Sequence, residues 1–206
     1  MSWSALVVAL AFILPPSAAS AAVLIEGQVD GEALRVVADR QQERVLIEKG
    51  GERTLVDLAA GGVYLGLETG APEHVHAYFR PGHDEGAPYR LERFGPGPVM
   101  AGHASTYYVL FAGERVCAEV LSSAWMRRFV DPAVQALAML DAIKQPRAAA
   151  GGDACADIPL TTTAAAGWPL LSGKIDHPTF MTEAIRFDYE PAPGELALPT
   201  GVATPR

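Results

Sequence analysis

His74-Val75-His76 is the densest group of metal-ligand side chains in the sequence. Residues two apart on a β-strand share a face, so these imidazoles would take two positions of a zinc or copper site. His83, Asp84 and Glu85 follow closely, and His103 is a conceivable distant ligand. A cupin-like H-x-H pair also needs a carboxylate soon after the second histidine, whereas Phe79-Arg80-Pro81 stands there. Exposed or edge-strand histidines are the commoner outcome, so a metal-dependent enzyme using His74 and His76 is the minor reading. No G-x-S-x-G elbow and no H-E-x-x-H pair occurs, and Gly95-Pro96-Gly97-Pro98 has prolines where a phosphate loop needs donor amides. Asp84-Glu85 reads as a solvated turn rather than an acid/base pair. The chain is read as a non-enzyme, with no catalytic residue, cofactor or resident metal.

The other reactive side chains are Cys117 and Cys155, and their chemistry depends on the compartment. Ser2 to Leu14 carries no charged side chain, Pro15-Pro16 ends the apolar run, and Ala19-Ser20-Ala21 offers a small-residue cleavage site. Residues 1–22 therefore read as a signal peptide, although only the Met1 amine supplies its positive charge. The product is expected in a periplasm or outside the cell. In that setting two cysteines are expected to form a disulfide, closing a loop of about 39 residues worth roughly 3 to 4 kcal/mol in the chain-entropy model. A catalytic thiol is disfavoured: Cys117 lies in the apolar stretch Val116 to Leu121, and Asp153 and Asp157 flank Cys155.

Residues 23–206 are enough for one domain with a real core. The net charge of −8 belongs to that part and repels phosphate backbones, so nucleic acid is not an expected partner. No segment after the leader is long and apolar enough to span a bilayer as a helix.

Short runs rich in Val, Leu, Ile and Tyr predict an antiparallel meander: Val23–Val29, Ala33–Asp39, Arg44–Glu48, Thr54–Leu58, Val63–Glu68, Val75–Phe79, Tyr89–Phe94 and Thr106–Phe111. Asp30-Gly31, Gly50-Gly51 and Gly61-Gly62 suit tight hairpin turns. Thr106 to Leu121 predicts a hairpin turning at Ala112-Gly113. Val45-Leu46-Ile47 and Tyr107 to Phe111 are apolar on both faces, so those strands need a cover on each side. One helix is predicted near 131–145, with Asp131 as N-cap, Pro132 at its first position, and Gln145-Pro146 as its stop. Ala136, Met139, Leu140 and Ile143 form its apolar stripe, while Val134 and Leu137 fall outside it and call for a second partner. Ala148 to Gly167 reads as a long surface connection, Thr182 to Tyr189 as a last strand, and Pro191 to Arg206 as a Pro-rich tail.

The order of short motifs carries a resemblance. Ile25-Glu26-Gly27, Met100-Ala101-Gly102-His103, Tyr107-Tyr108-Val109, Cys117-Ala118-Glu119-Val120, a helix, Gly167-Trp168-Pro169-Leu170 and Leu198-Pro199-Thr200-Gly201-Val202 follow one another. This series resembles the periplasmic lipoprotein-carrier (LolA-like) superfamily, particularly its uncharacterised exported members. The final motif departs from the family's F-x-L-P-x-G-Y finish, with Ala197 and Val202 in the aromatic positions. The resemblance implies an α+β fold, a strongly curved antiparallel sheet forming an unclosed barrel with a covering helix. It also implies that a lipid, a lipidated protein or another apolar ligand occupies the concave face, with no ligand-binding residue transferable. The alternative is a structural or protein-interaction module whose hollow is filled by its own side chains.

Overall fold

The computed structural model describes residues 22–77, 89–144, 155 and 158–200. The proposed cleavage motif, His83 to Glu85, the Gln145-Pro146 stop and the Gly201-Val202 finish lie outside them.

Among the described residues eleven strands form one antiparallel sheet. In chain order they are β1 (Ala22–Val29), β2 (Glu32–Asp39), β3 (Arg44–Lys49), β4 (Glu52–Asp57), β5 (Gly62–Leu65), β6 (Glu73–His76), β7 (Tyr89–Pro96), β8 (Thr106–Ala112), β9 (Arg115–Ser123), β10 (Trp168–Lys174) and β11 (His177–Tyr189). Their order across the sheet is β6-β5-β4-β3-β2-β1-β11-β10-β9-β8-β7. Two meanders, β1–β6 and β7–β11, are thus sewn together by one pairing of β1 with β11. The sheet is open. Its edges are blunted against further pairing: β6 is short, while β7 carries Arg90, Glu92 and Arg93, a register irregularity after Arg93, and Pro96 at its end.

Register assigns each side chain its face. Ile25, Val36 and Ile47 lie side by side across β1, β2 and β3 on the inner face. Leu24, Val37, Leu46, Leu55 and Tyr64 form the corresponding outer row from β1 to β5. Both rows are apolar, as the run Val45-Leu46-Ile47 demands, and each has its own cover. Helix α1 (Ala124–Lys144) contacts β2, β3 and β10, burying Met126, Val130, Ala133, Ala136 and Met139 against the inner row. The outer row is covered by the C-terminal segment, where Leu196 is buried with Leu24, Val37 and Leu55. The predicted tail is therefore a strap from Pro191 to Leu198. Burying one such aliphatic side chain is worth about 1.5 to 3 kcal/mol, so each cover contributes substantially.

Helix α1 starts seven residues before the predicted N-cap. The chain passes from Ser123 at the end of β9 straight into Ala124, and Pro132 lies inside the helix. Asp131 caps nothing there; it accepts a hydrogen bond from Gln135 Nε2 one turn later at 2.8 Å. Tertiary packing outweighs the local signal, because Met126 and Val130 bury themselves only if the helix includes them. Val134 and Leu137 are buried in the same apolar cluster as Ala164, which belongs to the predicted surface connection. A short helix α2 (Leu160–Ala164) packs on α1, with Thr163 and Ala164 buried. Asp141 Oδ2 accepts hydrogen bonds from the Thr161 hydroxyl at 3.1 Å and amide at 3.4 Å. The predicted strand Val63–Glu68 ends at Leu65, because Gly66 and Gly70 turn the chain through a single 3-10 turn in left-handed conformations.

Two glycines mark close backbone approaches. At Gly27 a Cβ would overlap the Met181 carbonyl, where β11 presses in beside a register shift in β1. At Gly167 (φ +132°) it would lie 2.6 Å from Ser123 O and 2.7 Å from Ala124 N, the junction where β9 becomes α1. The disulfide joins Cys117 and Cys155, Cα–Cα 5.0 Å, tying the connection after α1 to β9.

Gly167→Ala is expected to lower the unfolding free energy by about 1 to 3 kcal/mol in urea titration, because backbone atoms must shift to admit the methyl group. Replacing both cysteines by serine is expected to cost about 3 to 4 kcal/mol in the same measurement, if the bridge acts mainly on the unfolded chain.

Candidate functional site

The inner face has three regions. Its centre, beneath α1, is filled by side chains of the protein itself. Trp168 and Phe180 meet edge to face at 6.1 Å. The Trp168 indole donates to Thr182 Oγ1 at 3.1 Å, and that hydroxyl donates to the Pro169 carbonyl at 3.0 Å. Ser122 Oγ donates to the Trp168 carbonyl at 3.2 Å, so the polar groups of this core are matched.

Toward β9, β10 and β11 the inner face opens into a cleft of about 480 Å³. Its floor is Val29, Ala118 and Phe180, while Asp30, Lys174 and His177 stand at its rim. The Cys117–Cys155 bridge and Ile158 bound it on the side of the connecting segment. Ile158 also packs on a separate apolar cluster of Leu110, Ala118 and Val120. Beside an apolar floor and a charged rim, this cleft suits an amphiphile better than a fully apolar molecule.

At the start of α1 the inner face ends in aromatic rings. Trp125 and Phe129, one helical turn apart, lie 4.7 Å from each other and 5.7 and 5.1 Å from Phe187 of β11. His103 stacks on Trp125 at 5.9 Å and meets Phe187 edge-on at 5.7 Å. The turn Met100-Ala101-Gly102-His103 presents it, with Ala101 and Gly102 both at positive φ and Met100 bridged to His103. Trp125 is 50% exposed and Phe129 37% exposed. Neither ring was singled out from the sequence, although Trp125-x-x-x-Phe129 is a helical one-face spacing.

His74 and His76 are brought together, but on the outer face of edge strand β6. Their rings lie 4.6 Å apart, and His74 stacks almost parallel on Tyr64 at 4.5 Å. His103 is in the aromatic group at the inner face and is not their third ligand. Among the described residues no three His, Cys, Asp or Glu side chains are grouped to hold a metal ion.

The outer face carries a feature that sequence reasoning missed. Glu26, Arg35, Glu48 and Arg53 alternate in sign from β1 to β4 in one register row, and Arg186 of β11, whose own register partner is Leu24, reaches across to Glu26. Arg186 pairs with Glu26 at 3.3 Å, Arg35 with Glu48 at 2.8 Å, and Arg53 with Glu48 at 2.8 Å. Glu195 of the strap joins this row. It accepts hydrogen bonds from Arg35 Nη2 at 2.5 Å, the Ala192 amide at 2.8 Å and Tyr189 OH at 3.0 Å. Burial alone would raise the Glu195 pKa; the bonds from Arg35, Ala192 and Tyr189 outweigh it and hold the carboxyl below its ordinary range. The signal for the latch was present as Tyr189 and Glu195 around a Pro-rich turn, but the partner Arg35 lies far away in sequence. Elsewhere on the outer face Tyr107 OH donates to Glu119 at 2.6 Å, and that bond together with burial raises the Tyr107 pKa.

No family model, curated protein or solved structure matches the chain.

Glu195 is more acidic in the folded than in the unfolded chain, so its contribution is complete above its unfolded value and is lost as pH falls through the folded one. Stability is expected to be flat with respect to this group above pH about 5 and to decline below about 4.5, as the strap loosens. Glu195→Gln should flatten that decline while lowering stability at pH 7, read by chemical denaturation across the pH range.

Proposed function

We propose that this protein is an exported, non-enzymatic envelope protein that binds a lipid, a lipidated protein or another apolar ligand on the inner face of its sheet. The observation that carries this reading is the cleft of about 480 Å³, which opens on the face that α1 covers and sets Val29, Ala118, Ile158 and Phe180 within an otherwise largely polar lining. Each acyl methylene buried against those side chains contributes about 0.8 kcal/mol, so a short length of chain suffices for firm binding without chemistry. The disulfide is in keeping with an oxidising compartment.

The finer architecture proposed is a strongly curved sheet, an unclosed barrel of the lipoprotein-carrier kind. Chain length supports it. β6 and β7 follow one another in sequence yet form opposite edges of the sheet. From His76 to Tyr89 a fully extended chain spans at most roughly 45 Å, whereas ten steps of about 4.8 Å across a flat sheet require roughly 48 Å. A bent sheet brings the edges within reach.

A second reading has its own observation. Beneath α1 the inner face is occupied by Met126, Val130, Ala133 and Met139 with no solvent exposure worth the name. On this reading the scaffold is a structural or protein-interaction module with a self-filled core, and the cleft holds water.

Native mass spectrometry with lipid extraction of the protein purified from its own envelope separates the two. A co-purifying amphiphile is expected, and Thr179→Trp, which places a bulky ring in the cleft from an exposed strand position, is expected to remove it while leaving the fold intact by circular dichroism. A consistently bare wild-type protein would favour the module.

A further inference from the structure

We propose that the exposed rings at the start of α1, together with Arg128, form a docking surface for an anionic lipid bilayer. Trp125, Arg128 and Phe129 share one helical face, at the i, i+3, i+4 spacing. The Arg128 guanidinium lies 5.6 Å from the Trp125 ring and 5.5 Å from the Phe129 ring. Rings half in and half out of water beside a cation are the composition that settles at a membrane–water interface.

The charge environment, taken with the exposed rings, favours this place. Arg35, Arg44, Arg53, Arg90 and Arg186 each face a carboxylate of the protein. Arg128 does not: its Nε donates to the Trp125 carbonyl at 3.4 Å, and no described carboxylate pairs with it. The neighbouring Arg127 donates to the Ala165 carbonyl at 2.8 Å, and no described carboxylate pairs with it either. Asp131, one turn on, accepts a hydrogen bond from Gln135 rather than from either arginine, and its charge only partly offsets theirs. Two arginines that no described carboxylate pairs with stand here beside exposed aromatics, which makes this end more attractive to anions than the body of a chain of net charge −8. An anionic bilayer would therefore bind the protein in one orientation, α1 start inward.

That charge balance also disfavours a second copy of the chain as occupant. A twofold contact through this face would set Arg128 against Arg128 and bring two acidic bodies together. Among the described residues no helix is long and apolar enough to cross a membrane, so the contact proposed is superficial, with the rings at headgroup depth. It places the inner face next to the bilayer, whether or not the cleft holds a ligand.

The test is quenching of Trp125 fluorescence by brominated lipid in vesicles, using the full chain with Trp3→Phe so that the apolar N-terminal stretch contributes no signal. Trp168 is buried and serves as the unquenched reference. Vesicles containing brominated phosphatidylglycerol are expected to quench the protein, vesicles of brominated phosphatidylcholine alone to do so much less, and Trp125→Phe to abolish the effect. Arg128→Gln is expected to weaken the anionic-vesicle interaction about fivefold, and added salt to weaken it further. Equal quenching by neutral and anionic vesicles, quenching unchanged in Arg128→Gln, or none with either lipid would overturn the proposal. Because Thr179→Trp alters the cleft and not this face, failure of docking and failure of ligand binding are separately visible.

Discussion

The pairing of β1 with β11 is the contact on which the rest of this protein depends. It joins the first strand to the last and turns two independent meanders into one sheet. It also continues the inner apolar row, since Ile25 lies opposite Ile185, whereas the outer row gives way to charge where Leu24 meets Arg186. The seam is tight: Gly27 has no room for a Cβ because the Met181 carbonyl occupies that space. Contacts so distant in sequence carry a large loop-closure cost, so they form only when side-chain burial on both faces offsets it.

From that seam the two faces take different covers. The inner face receives α1, which follows β9 without a loop and so is aimed by the strand that precedes it. The outer face receives the strap that follows β11, latched by Glu195 to Arg35 and filled by Leu196. β1 to β4 carry apolar side chains buried on both faces. The cleft and the exposed rings lie toward β9 to β11 and the start of α1, where the covers are shorter. Binding sites on rigid scaffolds commonly sit where the packing stops.

Much of the strand inventory was legible in the sequence, because alternation and glycine turns are local signals. The disulfide was legible too, from two cysteines and an inferred oxidising compartment. The helix start was not. Asp131-Pro132 is a sound N-terminal signal by propensity, and only the burial of Met126 and Val130 against the sheet explains why the helix begins at Ala124. The candidate site was less legible still. Trp125 and Phe129 were hidden in a stretch assigned to no element, while His74 and His76, which looked most like chemistry, lie on the outer face away from His103.

By itself the sequence determined the local features: hairpin turns where glycine permits positive φ, strands apolar on both faces, and a pair of cysteines able to bridge. The tertiary structure alone decided which strands neighbour one another and what covers each face. It also decided that a Pro-rich tail becomes a strap and that four aromatic rings from three elements meet at one end of a helix. The physical reason is range. Periodicity and turn chemistry act over a few residues, whereas Arg35 with Glu195, Ile25 with Ile185 and His103 with Trp125 are brought together by collective burial that no short window of sequence records.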